Sequence, residues 1–558
     1  MSTKPEDSAS PRLSTTLFRS ANIPQKIVAG LMPPIRKSEW IWLLISILAL
    51  TIARLPMLLH AAGQMDEQWF AVPGLTVAKE GIPRIPYCPT RRRETFFENA
   101  DKCVFALPPA LHYVQAPFFM LMKPGYPAAR MPLFLCGIVG LGILWLIARQ
   151  FIDEPWMVGI SLVMFAVSRP LMFTSVTARP DLLCAVFGWL VLLTMLHWTR
   201  APKHGWLVVA GGLCGIGLLC HPFALVYCIQ AGVWSVLASG ALQVRIGRAI
   251  VLSVSALLML GLWLPLILAF PYEFQSQFFC NVLERSGPGI LSRMIWPWDS
   301  FDRHWKQQCE FNEVFQMAFL MSGLLGGTAI SLFRKRGSAG FFYTCLAWTA
   351  VYFTATAAGI HPTKGYWVYA IGLIYPFAVL GHVQLLQLLN DIAIRLFTIS
   401  PALRTSEETQ LWYRGHSVRI ALFSAGLLAI MLPHSGIKAT FCYLQNWGDG
   451  RYHAGKFIAE VLERLPQEGL FMVDVNYVLD VYLTGRKTIL CQPRTRFWGE
   501  EELGINYLIV GQEGLDGDWP NQYETTFFRR EGNRSTEFDC FVEIYVPKPS
   551  PESPPRLD

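Results

Sequence analysis

The sequence predicts a polytopic α-helical membrane protein of about eleven transmembrane helices, followed by a small C-terminal α/β extracytoplasmic domain. Three observations carry that expectation. Of the 558 residues, 53% are hydrophobic and only 16% charged, where soluble domains run near about 25% charged. The apolar residues fall in blocks of roughly 20, the length that crosses about 30 Å of hydrocarbon as a helix. Beyond residue 435 the character changes to shorter apolar runs of mixed spacing. Disordered, fibrous and disulfide-framework chains are excluded. The net charge of +7 does not call for nucleic acid, because Lys and Arg sit in short clusters between apolar blocks and read as topology signals.

Residues 1–38 form a polar, cytoplasmic N-terminal tail. It leads into the apolar run from Trp40 to Leu59, too long for a removable signal peptide and lacking a small-residue cleavage site, so it is read as an uncleaved first span. The transmembrane body covers 39–435, with further spans at about 129–149, 156–176, 181–199, 205–221, 223–240, 249–270, 313–333, 341–359, 366–388 and 417–434. With the N-terminus cytoplasmic, Arg149, Arg200, Arg245, Arg334 and Arg395 all fall on the inner side. The outer loops 61–128 and 271–312, the short turns near 177–181 and 360–365, and the tail then share the outer face. Within 436–548, Lys456 to Leu465 repeats at helical spacing, while Phe471-Met472-Val473-Asp474-Val475, Tyr507-Leu508-Ile509-Val510 and Cys540 to Val546 read as strands. The Pro-rich 549–558 is expected to be disordered.

Charge beside a membrane is costly to bury, so the outer-face charges are the candidate functional residues. Asp66-Glu67 follows the first span and opens an amphipathic interfacial helix closed by Gly81. Asp66 is placed either to cap that helix or to act as a free carboxylate. Ala178-Arg179-Pro180-Asp181 lies between two spans with almost no loop: a structural ion pair, or a helix cap beside an arginine that faces an anion. Leu107-Pro108-Pro109-Ala110-Leu111-His112-Tyr113 starts a second interfacial helix ahead of Arg130 and Pro132. His221-Pro222 and His361-Pro362-Thr363-Lys364-Gly365-Tyr366-Trp367 stand at outer ends of spans, where such residues also serve as plain interfacial anchors. Arg54 and Arg169 are expected to snorkel outward. Trp69, Phe70, Tyr113, Trp296 and Trp298 are candidates to line a lipid or sugar groove.

In order along the chain, the acidic pair, the Pro-Pro-x-Leu helix, Arg130-x-Pro132, Ala-Arg-Pro-Asp and Lys364-x-Tyr366 before a span with Tyr375-Pro376 resemble the GT-C class of membrane glycosyltransferases. The branch is that of protein O-mannosyltransferases and lipid A aminoarabinose transferases. The resemblance covers roughly residues 40–390. It implies transfer of a hexosyl or pentosyl group from a polyprenyl-phosphate sugar donor to a hydroxyl acceptor (a glycolipid, polysaccharide or protein) at the outer or lumenal face, with inversion. Asp66 would be the catalytic base and Glu67 its companion, with Arg130, Arg179, Asp181, His221, Lys364 and Tyr366 binding donor phosphate or substrate. The chain departs from the pattern at Leu107, where relatives often carry Lys, and at Cys220-His221-Pro222. The implied setting is a bacterial inner (plasma) membrane.

The chemistry suits the residues. A lipid phosphate leaves well, so what helps is a base for the acceptor proton and cations for the charge that builds on phosphate. Hard carboxylates suit Mg or Mn, which makes Asp66 and Glu67 the candidate metal ligands; no other cofactor is called for. Cys88 with Cys103 and Cys280 with Cys309 lie within single outer loops, where an oxidising compartment favours disulfides. Two other classes fit the same composition: a transporter of a polar or anionic solute, and a non-catalytic membrane scaffold. The charges gather at one face rather than the midplane, and no inverted repeat is visible, which speaks against transport.

Overall fold

The computed structural model describes residues 35–93, 95–284, 289–333, 338–359, 363–397, 423–431, 433, 435–499, 502–515, 517–534, 536 and 538–548. Among these, five helical units are long and apolar enough to cross a membrane: Lys37–His60, Tyr126–Ala148, Asp181–Arg200, Leu242–Ala269 and Lys364–Leu386. Pro155–Val167 and Arg169–Val176 make a sixth if taken as one span bent by 55°. The bend falls at Ser168, whose hydroxyl accepts the Leu171 N–H, and Pro170 removes a donor from the second piece. His204–Cys220, Pro222–Leu237 and Val314–Ala329 are apolar but shorter, and Ser338–Ala357 is also helical. The apolar blocks of the sequence therefore lie on helices, several of them shorter than a full span. At His221 the chain turns extended, with φ −158°, and Pro222 cannot continue the preceding helix. The block at 417–434 lies partly outside the described residues.

The helices pack through small residues. A Cβ on Gly381 would lie 2.0 Å from the Gly323 carbonyl oxygen, so only glycine lets Val314–Phe333 approach Val368–Phe397 this closely. Arg54 does not snorkel as its sequence position suggests. It is fully buried and its guanidinium donates to the carbonyls of Ser435 at 2.5 Å and of Ala166 and Ser168 at 3.3 Å. Helix ends and bends leave such carbonyls unpaired, and one buried guanidinium satisfies three. At the opposite end of the first helix Glu39 pairs with Arg149 at 3.0 Å.

The two long loops between spans interlock. Gln277 donates to the carbonyls of Glu98 at 2.7 Å and Cys103 at 2.9 Å, and accepts the Phe105 N–H at 2.7 Å. The expected disulfides do not form: Cys88, Cys103 and Cys309 are free thiols. Cys88 belongs to the main apolar core, whereas Cys103 packs in a separate cluster with Phe105, Leu219 and Trp263. Nearness in sequence did not bring the two sulfurs together.

Beyond residue 469 lies a five-stranded sheet of order β2-β1-β3-β5-β4. Its strands are β1 Leu470–Val473, β2 Lys487–Leu490, β3 Tyr507–Gly511, β4 Thr525–Gly532 and β5 Phe541–Pro547. β1 runs parallel to β2 and β3, and the β3–β5 and β4–β5 pairs are antiparallel. β1 is buried through Phe471, Met472 and Val473, which is why it reads as a continuous apolar run rather than an alternating one. Helix Ala454–Glu463 buries Phe457, Ile458, Val461 and Leu462 at i, i+1, i+4 and i+5. The sheet touches the first long loop directly, since Leu490 N–H donates to Tyr87 O at 2.9 Å.

Candidate functional site

The interfacial helix expected from Asp66 to Gly81 is broken at Ala71 into Glu67–Phe70 and Val72–Glu80, with Gly81 closing it at φ 76°. Asp66 takes the left-handed conformation, φ 69°, and its carboxylate makes no cap bond. The capping alternative is thereby set aside. Released from that duty, the carboxylate pairs with Arg179 and lines an open cleft.

Arg179 is the hub of the cluster. It extends from the three-residue turn before helix Asp181–Arg200, where Pro180 is the N-cap. Its Nε donates to Asp181 Oδ2 at 2.8 Å, Nη1 meets Asp66, and Nη2 reaches Thr363 Oγ1 at 3.4 Å. Asp181 is fully buried and its other oxygen accepts from Tyr369 OH at 3.4 Å. A buried aspartate thus fixes the guanidinium plane while leaving one edge toward the cleft, the fork geometry that suits phosphate oxygens. Gly365 makes this possible: a Cβ there would lie 2.8 Å from Asp181 Oδ2.

His221 and Tyr366 line the same cleft. His221 Nδ1 accepts the Phe223 N–H at 3.1 Å, which places the ring proton on Nε2 in the neutral form. Its ring stands 5.6 Å from Tyr366. Lys364 sits between the lining residues Thr363 and Tyr366 in sequence but is not itself part of the lining, its ammonium standing 5.7 Å from the Phe311 ring centroid; His361 and Pro362 fall outside the described residues. Trp69 and Phe70 line the cleft, with Trp69 stacked between Phe97 at 3.9 Å and Phe497 at 5.6 Å. Trp296 and Trp298 instead face outward, strongly exposed, and Tyr113 hydrogen-bonds Gly81 O at 3.2 Å. Leu107, the residue that departs from the pattern, is part of the lining.

Glu67 and Arg130 do a different job from the one expected. Both are fully buried. Glu67 Oε1 accepts from Arg130 Nε at 2.8 Å and the Ala178 N–H at 2.7 Å; Oε2 accepts from Arg130 Nη2 at 2.5 Å and the Gln64 N–H at 2.8 Å. Arg130 spends its remaining donors on Ala61 O and Ala62 O at 2.8 and 2.6 Å. Four donors saturate the carboxylate, so Glu67 has no oxygen to offer substrate or metal, and neither residue lines the cleft. The Asp66–Glu67 pair therefore does not fit a divalent cation, and among the described residues no group of three or more His, Cys, Asp or Glu gathers as a metal site.

With this geometry in view, two comparisons bear on kinship. Residues 106–268 match the family model of dolichyl-phosphate-mannose-protein mannosyltransferases, a stretch that holds Arg130, Arg179, Asp181 and His221. The structure is similar to ArnT from Cupriavidus metallidurans in the apo state, with a TM-score of 0.54 at 14% identity, over 92% of this chain and 99% of that one. The fold is similar to that of GT-C membrane proteins. The same protein bound to undecaprenyl phosphate gives a TM-score of 0.50 at 14% identity, over 92% and 100%. No curated protein matches the sequence. The GT-C resemblance read from the motifs stands, and with its apolar helices the chain is an integral membrane protein.

Several residues around the GT-C-like cleft escaped the sequence reading. Tyr369 supports Asp181, and Phe96, Phe97, Phe223 and Asn281 are among the further lining residues. Asp474, Asn476 and Glu513 come from the sheet. Their signal was available: they follow the ends of parallel strands β1 and β3, the place where α/β sheets present polar groups. Asp474 is buried, and burial pushes its carboxyl up to about 7 despite the N–H groups of Gly511 and Asn476. Glu513 is pushed up to about 7 as well, by burial and then by Glu67, against the pull of Lys364 and Arg130.

Proposed function

We propose that this chain transfers a sugar from a polyprenyl-phosphate donor to a hydroxyl acceptor, with inversion, in the cleft beside Asp66. One observation carries the reading: an uncapped carboxylate at Asp66 faces an open cleft and meets a guanidinium that the buried Asp181 holds in place. The family model's mannosyltransferase description and the undecaprenyl phosphate held by ArnT support a lipid-linked donor.

Each group has a role in that reaction. Arg179 exchanges Asp66 for donor phosphate oxygens, which frees the carboxylate. Asp66 then takes the proton of the acceptor hydroxyl as its oxygen bonds the anomeric carbon and the carbon–phosphate oxygen bond breaks. Arg179 and the nearby Lys364 balance the charge that collects on the departing phosphate. His221 Nε2–H and Tyr366 are placed to hydrogen-bond the sugar. Glu67 and Arg130 hold the loop and touch neither substrate. In this reading the cleft opens on the outer face of a bacterial inner membrane, about eleven helices span the bilayer with the N-terminus cytoplasmic, and residues 436–548 stand outside. The acceptor is a glycolipid, a polysaccharide or a protein.

The test is transfer from a panel of labelled polyprenyl-phosphate sugars by the purified protein in lipid nanodiscs, beside Asp66→Asn and with or without chelator. Turnover of one donor that is lost in the variant, with unaltered melting and no effect of chelator, supports the reading. Donor turnover that survives in Asp66→Asn refutes the role of Asp66, and absence of both turnover and donor binding refutes the transferase itself.

A further inference from the structure

The loop that delivers Asp66 is held from outside the membrane. Gly63 N–H donates to Asn476 O at 2.9 Å, and Asn476 Nδ2 returns a bond to Gly63 O at 2.7 Å. Asn476 Oδ1 accepts the Glu513 N–H at 2.9 Å, and its own N–H donates to Asp474 Oδ1 at 3.1 Å. Asp474 Oδ2 accepts the Gly511 N–H at 2.7 Å, so the segments after β1 and β3 are tied into one block. Tyr126 OH donates to Val475 O at 2.6 Å on the other flank. Contact is so close that a Cβ on Gly63 would lie 2.2 Å from Val475 O and 2.5 Å from the Tyr126 ring.

Such a clamp has a physical purpose. A non-glycine residue in the left-handed region is held there only when its surroundings over-determine it, and Asp66, at φ 69°, is such a residue. The backbone at Gly63 is pinned by the sheet, and Gln64 by Glu67. What remains for Asp66 is to point into the cleft.

We propose that Asn476 is a positioning residue for Asp66, so that the sheet is part of the transfer machinery rather than an appended module. The inference rests on the reading of Asp66 as the base.

The experiment uses the full chain in nanodiscs, comparing Asn476→Asp, Asp66→Asn and the double variant Asp66→Asn/Asn476→Asp. Asn476→Asp keeps the Oδ1 acceptor and loses the donor to Gly63. It is expected to lower kcat about 100-fold, the cost of a displacement of about 1 Å at a reacting group, with donor KM changed less than about twofold. The double variant is expected to be no slower than Asp66→Asn alone, because a positioning residue has nothing left to position. Wild-type kcat in Asn476→Asp, or a loss that adds in full to that of Asp66→Asn, overturns the proposal. Should wild-type protein neither transfer sugar nor bind donor, the functional reading fails by itself. Amide hydrogen exchange over residues 61–70 then decides the clamp: faster exchange in Asn476→Asp upholds it, and unchanged exchange overturns it.

Discussion

Asp66 and Glu67 are neighbours in sequence, both acids, and each meets an arginine brought by a later part of the chain, yet they end in opposite conditions. Glu67 and Arg130 are sealed at 0% side-chain exposure, with every carboxylate lone pair in use. The Asp66 side chain keeps 33% exposure, with its arginine at the cleft wall. The difference is one of saturation: a carboxylate that accepts four hydrogen bonds is a fastener, whereas one held by a single exchangeable partner is left available to a ligand. Residue type and spacing are alike for the two, and what surrounds them assigns the roles.

The comparison breaks most sharply if the two acids respond alike to loss of charge. Asp66→Asn is expected to lower transfer by about 10²–10⁴-fold, the range of a lost general base, with the thermal midpoint almost unmoved; paired activity and melting measurements in nanodiscs check this. Glu67→Gln is expected to destabilise by about 3–5 kcal/mol, because Arg130 stays buried without its counter-charge. Denaturation of that variant beside a Glu67→Leu/Arg130→Met double variant checks it, since removing both charges should recover much of the loss. Arg179→Lys keeps the charge and loses the fork, so it should cost about 10- to 100-fold in kcat/KM, roughly 1–3 kcal/mol, read by donor titration.

The smallest effect should come from the sheet. The Asp474 carboxyl is raised in the folded state to about 7 from an ordinary 3.8, so folding favours its protonated form. Its contribution to stability is full below about pH 4 and is lost as pH rises toward 7. The midpoint is expected to fall by a few degrees over that window, and Asp474→Asn should flatten the fall while leaving the acid-side midpoint in place.

Much of the frame was legible in the chain. The apolar blocks became helices because their length and composition leave the backbone no partner but itself in hydrocarbon. The runs at 471–475 and 507–510 meet strands β1 and β3 because buried parallel strands are apolar on both faces. The order of outer-face motifs pointed to the GT-C fold. Less was legible where roles depend on partners far along the chain. Arg54 reads as an interfacial arginine, yet it stitches the first helix to Ser435 and to the bend at Ser168. Cys88 and Cys103 read as a pair and pack in separate clusters. Asn476 carried no motif at all.

The sequence by itself determined the medium and the list of reagents. Hydropathy is a sum over adjacent residues, and it specifies helices, strands and outward-facing charges with little help from long-range contacts. Only the tertiary structure decided which acid is saturated and which faces the cleft, which arginine fastens, and that a sheet some 400 residues further along bonds the loop before Asp66. Those outcomes depend on hydrogen-bond saturation and burial, and both are properties of groups that the chain brings together only when it folds.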